Sequence, residues 1–184
     1  MDAFLVSTIT VALAEIGDKT QLLSLFLTTK FRNKWAIILG ILVATLLNHA
    51  ASAWLGEWVA QYMQSRTGEW VIGSSFIVLG LWLLIPDKDN GEESSLHKYG
   101  AFAASAVLFF LAEIGDKTQV ATVLLGAQFE SVLLVTAGTT LGMLIANVPV
   151  VFAGDYLMQR IPMNLTRILA ALVFVAVGLV KIPF

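Results

Sequence analysis

Six apolar runs separated by short polar stretches account for nearly the whole of this 184-residue chain, at about 3–29, 35–60, 70–86, 99–127, 131–157 and 165–183. A helix needs roughly 20 apolar residues to cross the bilayer core. The pattern therefore predicts an all-α integral membrane protein with six transmembrane helices. The longest polar stretch, "DKDNGEESSLHK" at 87–98, carries Gly, Ser and charge and reads as a water-exposed linker. The opening "MDAFLVSTIT" lacks a basic region and a small-residue cleavage site, and its apolar run continues into charged positions. It reads as a first span and not as a removed signal peptide.

The two sides of the linker repeat each other. "AEIGDKTQ" at 14–21 returns letter for letter at 112–119, and the register then holds without a gap. Under this 98-residue shift Phe31 meets Phe129, Gly40 meets Gly138, Gly56 meets Gly154, Gln61 meets Gln159 and Phe76 meets Phe174. Apolar matches follow from composition alone, but an eight-residue identity holding three charges does not. The expected organisation is a first repeat at 1–86, a cytoplasmic linker at 87–98 and a second repeat at 99–184. Three spans per repeat is an odd number, so the second repeat enters from the opposite face and the duplication is inverted. The loops after the first, third and fifth spans hold Lys30, Arg32, Lys34, Lys88, Lys98, Arg160 and Arg167, whereas the other side has Arg66 and Lys181. That bias puts the first group in the cytoplasm and both termini outside. Trp54, Trp58 and Trp70 gather at the outer ends of spans two and three, as an interfacial belt does.

Composition supports this picture: 58% of residues are hydrophobic, 13% are charged, and mean hydropathy is +0.82. A net charge of −2 gives no basic footprint for nucleic acid, and the bilayer is the expected partner. Cysteine is absent, which removes disulfides and thiolate metal sites. Oligomeric state stays open, with a homo-oligomer compatible.

The charges inside the apolar runs are the candidate chemistry. Glu15, Asp18, Lys19, Glu113, Asp116 and Lys117 would together cost on the order of 15–20 kcal/mol if left unpaired in lipid. They must meet one another, water or a ligand between the repeats. On a continuous helix Glu15, Asp18, Lys19 and Thr8 share a face, while Thr20 and Gln21 point elsewhere. Either those two reach neighbouring helices or the helix breaks near Gly17, which permits a turn without Cβ strain. Glu15 and Lys19 also stand i, i+4 and could form a plain intrahelical pair. That reading leaves a surplus carboxylate in each motif unexplained. A surplus of carboxylates with Gln and Thr suits a hard cation such as Mn²⁺, Ca²⁺ or Mg²⁺. His97 falls in the linker, so His49 is the one intramembrane histidine, and it aligns with Asn147. Asn48 and Asn147 could add polar contacts or simply bond helix to helix. Glu57 and Asp155 close spans two and five, where they could draw cations to an entrance or sit as solvated helix ends.

The paired E-x-G-D-K-T-Q motifs, the three-plus-three arrangement and the acidic central loop resemble the small cation/proton exchangers that include the MneA-type manganese exporters of bacteria. Golgi manganese/calcium transporters are their eukaryotic relatives. The resemblance covers essentially the whole chain. It implies a transporter and no enzyme, in a bacterial inner membrane, with no resident cofactor. Its cargo would be Mn²⁺, or alternatively Ca²⁺, with protons as counter-ion. Carried over, the metal ligands would be Glu15, Asp18, Gln21, Glu113, Asp116 and Gln119, with Lys19, Thr20, Lys117, Thr118, Asn48 and Asn147 in support. A channel and a membrane-embedded enzyme are the readings from other classes. Two identical motifs argue against an enzyme, which divides acid and base roles between unlike groups.

Overall fold

The computed structural model describes residues 2–85, 99–154 and 163–183, with the side chain of Met163 left aside. The expected linker at 87–98, His97 and Asp155 lie outside the described residues. Among the described residues the chain forms eight helices and no strand. These are α1 (Ala3–Glu15), α2 (Lys19–Lys30), α3 (Lys34–Ala60), α4 (Arg66–Leu83), α5 (Gly100–Glu113), α6 (Lys117–Phe129), α7 (Val132–Ala153) and α8 (Met163–Lys181). The expected continuous runs over 3–29 and 99–127 are each two helices, broken at the repeated motif. The α3 and α7 helices, and 164–181 of α8, are long and apolar enough to cross a membrane, while α1 and α5 are shorter apolar helices.

Local chemistry marks several starts. Asp2 accepts from Phe4 N–H at 3.0 Å, Asn33 from Ala36 N–H at 3.1 Å and Ser65 from Gly68 N–H at 3.1 Å. Each satisfies a donor that the first helical turn leaves open. Ser131 does not cap α7 with its side chain; instead Glu57 reaches across from α3 to accept from Val132 N–H at 3.0 Å.

Burial runs opposite to that of a water-soluble protein. Leu47, Leu133, Val78 and Val180 stand exposed, while Glu15, Gln21, His49, Glu113, Thr118 and Asn147 are buried. An apolar exterior around a polar centre fits a lipid solvent. Close helix contacts run through small residues. A Cβ at Gly40 on α3 would lie 2.7 Å from Phe102 O of α5, and one at Gly142 on α7 would lie 2.6 Å from Thr8 O of α1. Packing pairs accordingly mirror each other, α1 lying along α7 as α5 lies along α3, while α4 lies along α8 with Phe76 against Phe174. Small interfacial residues of this kind let membrane helices approach where no hydrophobic force drives them together.

Candidate functional site

Both motif copies break their helices in the same way. After Glu15 the chain leaves the helix, Gly17 takes φ 85°, and α2 begins at Lys19; after Glu113, Gly115 takes φ 75° and α6 begins at Lys117. Only glycine takes these angles without a Cβ penalty. Each break is stitched by the motif glutamine: Gly17 N–H donates to Gln21 Oε1 at 2.8 Å, and Gly115 N–H to Gln119 Oε1 at 2.7 Å. The glutamine carbonyl oxygens therefore face the breaks. The other end of Gln21 donates to Ala146 O of α7 at 2.7 Å.

The breaks bring carboxylates from both copies together. Glu15, Glu113 and Asp116 are all buried, and each offers an oxygen within 4.8 Å of the others. Thr20 Oγ1 donates to Glu15 Oε2 at 2.5 Å. Thr118 Oγ1 stands 3.0 Å from Asp116 Oδ2 and 3.4 Å from Glu113 Oε2, so its single proton can be given to one acid or the other. Glu15 Oε1 and Glu113 Oε1 have no hydrogen-bond partner among the described residues. Buried acceptors without a donor are costly unless a cation or proton meets them. The carbonyl ends of α1 and α5 stop at this point, and a helix C-terminus favours positive charge. Asp18 is not part of the three-carboxylate cluster; it lines a cleft beside it.

That cleft is narrow, about 20 Å³, room for a water or a bare ion. Its walls include Gly17, Asp18, Asp116 and Lys117 from the motifs, Leu83 from the end of α4 and Arg167 from the start of α8. Lys19 pairs with Asp116 across the repeats at 2.8 Å, and Lys117 donates to Ile85 O at 2.6 Å and lies over the Trp82 ring.

The remaining candidates lie around this centre. Asn48 donates to Phe110 O at 3.1 Å, tying α3 to α5, and Asn147 accepts from Ser24 Oγ at 2.9 Å, tying α7 to α2. Glu57 caps α7 as described. Sequence reasoning left His49 undecided; its ring stands 3.7 Å from Glu113. Its signal was already present, a lone histidine inside an apolar run at the position where the other repeat has Asn147.

An apolar bundle with a carboxylate centre at two broken helices defines an integral membrane protein that handles cations. The chain belongs to the GDT1 family of divalent cation/proton antiporters, whose profile matches residues 3–91 and 101–182. A Vibrio cholerae protein named "Putative manganese exporter" is 51% identical over 180 residues, covering 97% of this chain and 90% of that one. A GDT1-like protein of Synechocystis is 24% identical over 195 residues, covering 95% and 93%. A GDT1-like protein of Schizosaccharomyces pombe is 32% identical over 82 residues, covering 45% and 31%. No solved structure matches the chain.

Proposed function

We propose that this protein exports manganese across the bacterial inner membrane by metal/proton antiport, with Glu15, Glu113 and Asp116 holding the ion. One observation carries the reading: three buried carboxylates drawn from both motif copies meet within 4.8 Å. Lys19 already offsets Asp116. Glu15 and Glu113 remain, each with an oxygen lacking a donor. Two negative charges match one divalent cation, and two protons restore the same charge once the cation leaves. Returning empty and ionised through a medium of low dielectric would be expensive, so protons complete the cycle. Gln21 and Gln119 keep the breaks rigid, and Thr20 and Thr118 orient the acids.

In this reading each broken pair, α1 with α2 and α5 with α6, makes one crossing, giving six spans in two inverted repeats with both termini outside. The cleft between the end of α4 and the start of α8 then faces the cytoplasm, where an exporter collects its ion. Cysteines placed at Thr29 and Thr67 should label from opposite faces, Thr29 from the cytoplasm; labelling from one face would remove the inverted repeat. The oxygen donors would serve Ca²⁺ as well, and the name of the Vibrio relative favours manganese. The deciding experiment is Mn²⁺ and Ca²⁺ flux in proteoliposomes under an imposed pH gradient, with a pH-sensitive dye inside. Mn²⁺ movement one way with proton movement the other is expected. Full-rate flux driven by voltage with no pH change would leave a channel or uniporter, and turnover of a substrate without flux would mean an enzyme.

A further inference from the structure

His49 is buried in α3 at 0% exposure, and neither ring nitrogen has a hydrogen-bond partner among the described residues. Packing does not explain it, because a leucine would fill the same volume without burying two unsatisfied polar atoms. Its Nε2 lies 3.7 Å from Glu113 Oε2, beside the acid whose other oxygen also lacks a donor. Two ligands of one first-row divalent ion, each about 2.1 Å from it, can stand at that separation. The neighbouring Asn48 donates to Phe110 O at 3.1 Å, which fixes this turn of α3 against α5, the helix that ends in Glu113.

The other repeat supplies the contrast. Asn147, the counterpart of His49, is fully engaged: it accepts from Ser24 Oγ at 2.9 Å and donates to Met143 O at 3.2 Å and towards Met143 S at 2.9 Å. Of two equivalent positions beside the centre, one is tied into the bundle and the other presents a free nitrogen. From this we infer that His49 is a nitrogen ligand of the transported ion and sets the preference for a transition metal over calcium and magnesium. An imidazole nitrogen binds first-row transition ions well, whereas Ca²⁺ and Mg²⁺ keep to oxygen. The inference rests on the reading that Glu15, Glu113 and Asp116 hold the cation.

The test uses the full-length protein in proteoliposomes and in detergent. Pulsed electron paramagnetic resonance of bound Mn²⁺ should show coupling to a histidine nitrogen in the unaltered protein and lose it in His49→Gln. His49→Gln and His49→Asn should weaken apparent Mn²⁺ affinity about tenfold, with Ca²⁺ flux held within about twofold. Absence of nitrogen coupling in the unaltered protein would overturn the inference without needing any variant. Equal loss of Mn²⁺ and Ca²⁺ flux would make His49 a structural residue, and no change in either would make it a bystander. Glu113→Gln separates the two levels: full transport of both ions by that variant would sink the carboxylate reading itself.

Discussion

The two copies of AEIGDKTQ share every letter but not their surroundings. Lys19 crosses to Asp116, while Lys117 turns to the end of α4. Gln21 ties α2 to α7 through Ala146, and Gln119 is half-buried beside an exposed Gly115. The seams behind the copies differ too. Between α3 and α6 the backbones touch: a Cβ at Gly126 would lie 2.9 Å from Ala53 Cα, and one at Gly56 would lie 2.8 Å from Ala127 N. The matching seam between α7 and α2 has Gly154 but sets Thr28 against Gly126 and Val151 against Ala53. There, among the described residues, a Cβ at Gly154 would find only Leu25 Cδ1, at 3.8 Å. One seam closes by backbone contact, and the other is looser at this position. The difference between the seams lies in residue type, with Gly126 and Ala53 on one side where the other has Thr28 and Val151.

The largest effect that would test the comparison comes from the acids. Glu15→Gln and Glu113→Gln should each cut Mn²⁺ flux by about 100-fold or more while the protein still inserts, because one ion draws on both copies. A harmless change in either copy, measured by proteoliposome uptake, would reduce the centre to a single motif. Next comes the seam. Gly126→Thr copies the residue of the other repeat into the close contact, and overpacking of this kind costs about 1–3 kcal/mol. That should slow flux about tenfold or more and open a cysteine at Val123 to new labelling. Unchanged labelling would mean the seam does not govern access.

The Lys19–Asp116 bridge should give a gentler effect. Lys19→Gln removes the cation beside Asp116, so the metal-free protein should melt several degrees lower and added Mn²⁺ should restore most of the loss. No rescue by Mn²⁺ would mean that the bridge does not border the bound ion. The smallest effect belongs to Glu57→Ala. Loss of a helix cap costs about 0.5–2 kcal/mol of stability, and flux should stay within about twofold. A large loss of flux at low metal concentration would restore Glu57 to the entrance.

Much of this architecture was legible in the letters. The duplicated motif and the glycine at its centre marked where both helices break, and the break left open by Thr20 and Gln21 is the one the structure adopts. The donor roles were less legible. Gln21 reads as a ligand by type, and the structure adds a contact that its type does not announce, its carbonyl accepting from the N–H freed at Gly17. The bridge from Lys19 to Asp116 could not be read, since it depends on how the two repeats pack against each other. His49 was visible as an oddity, but its approach to Glu113 depends on how α3 lies along α5, which no local pattern encodes.

The ion pair between Lys19 and Asp116 also sets a timetable for biosynthesis. Asp116 leaves the ribosome 97 residues after Lys19, a wait of about 5–20 s at common elongation rates. Throughout that interval the first motif sits at the membrane with its eventual neighbours unmade. Glu15 closes α1 and Lys19 opens α2, so the two do not share the continuous helix that an i, i+4 pair needs. The bridge between the repeats can therefore form only once the second copy has been made.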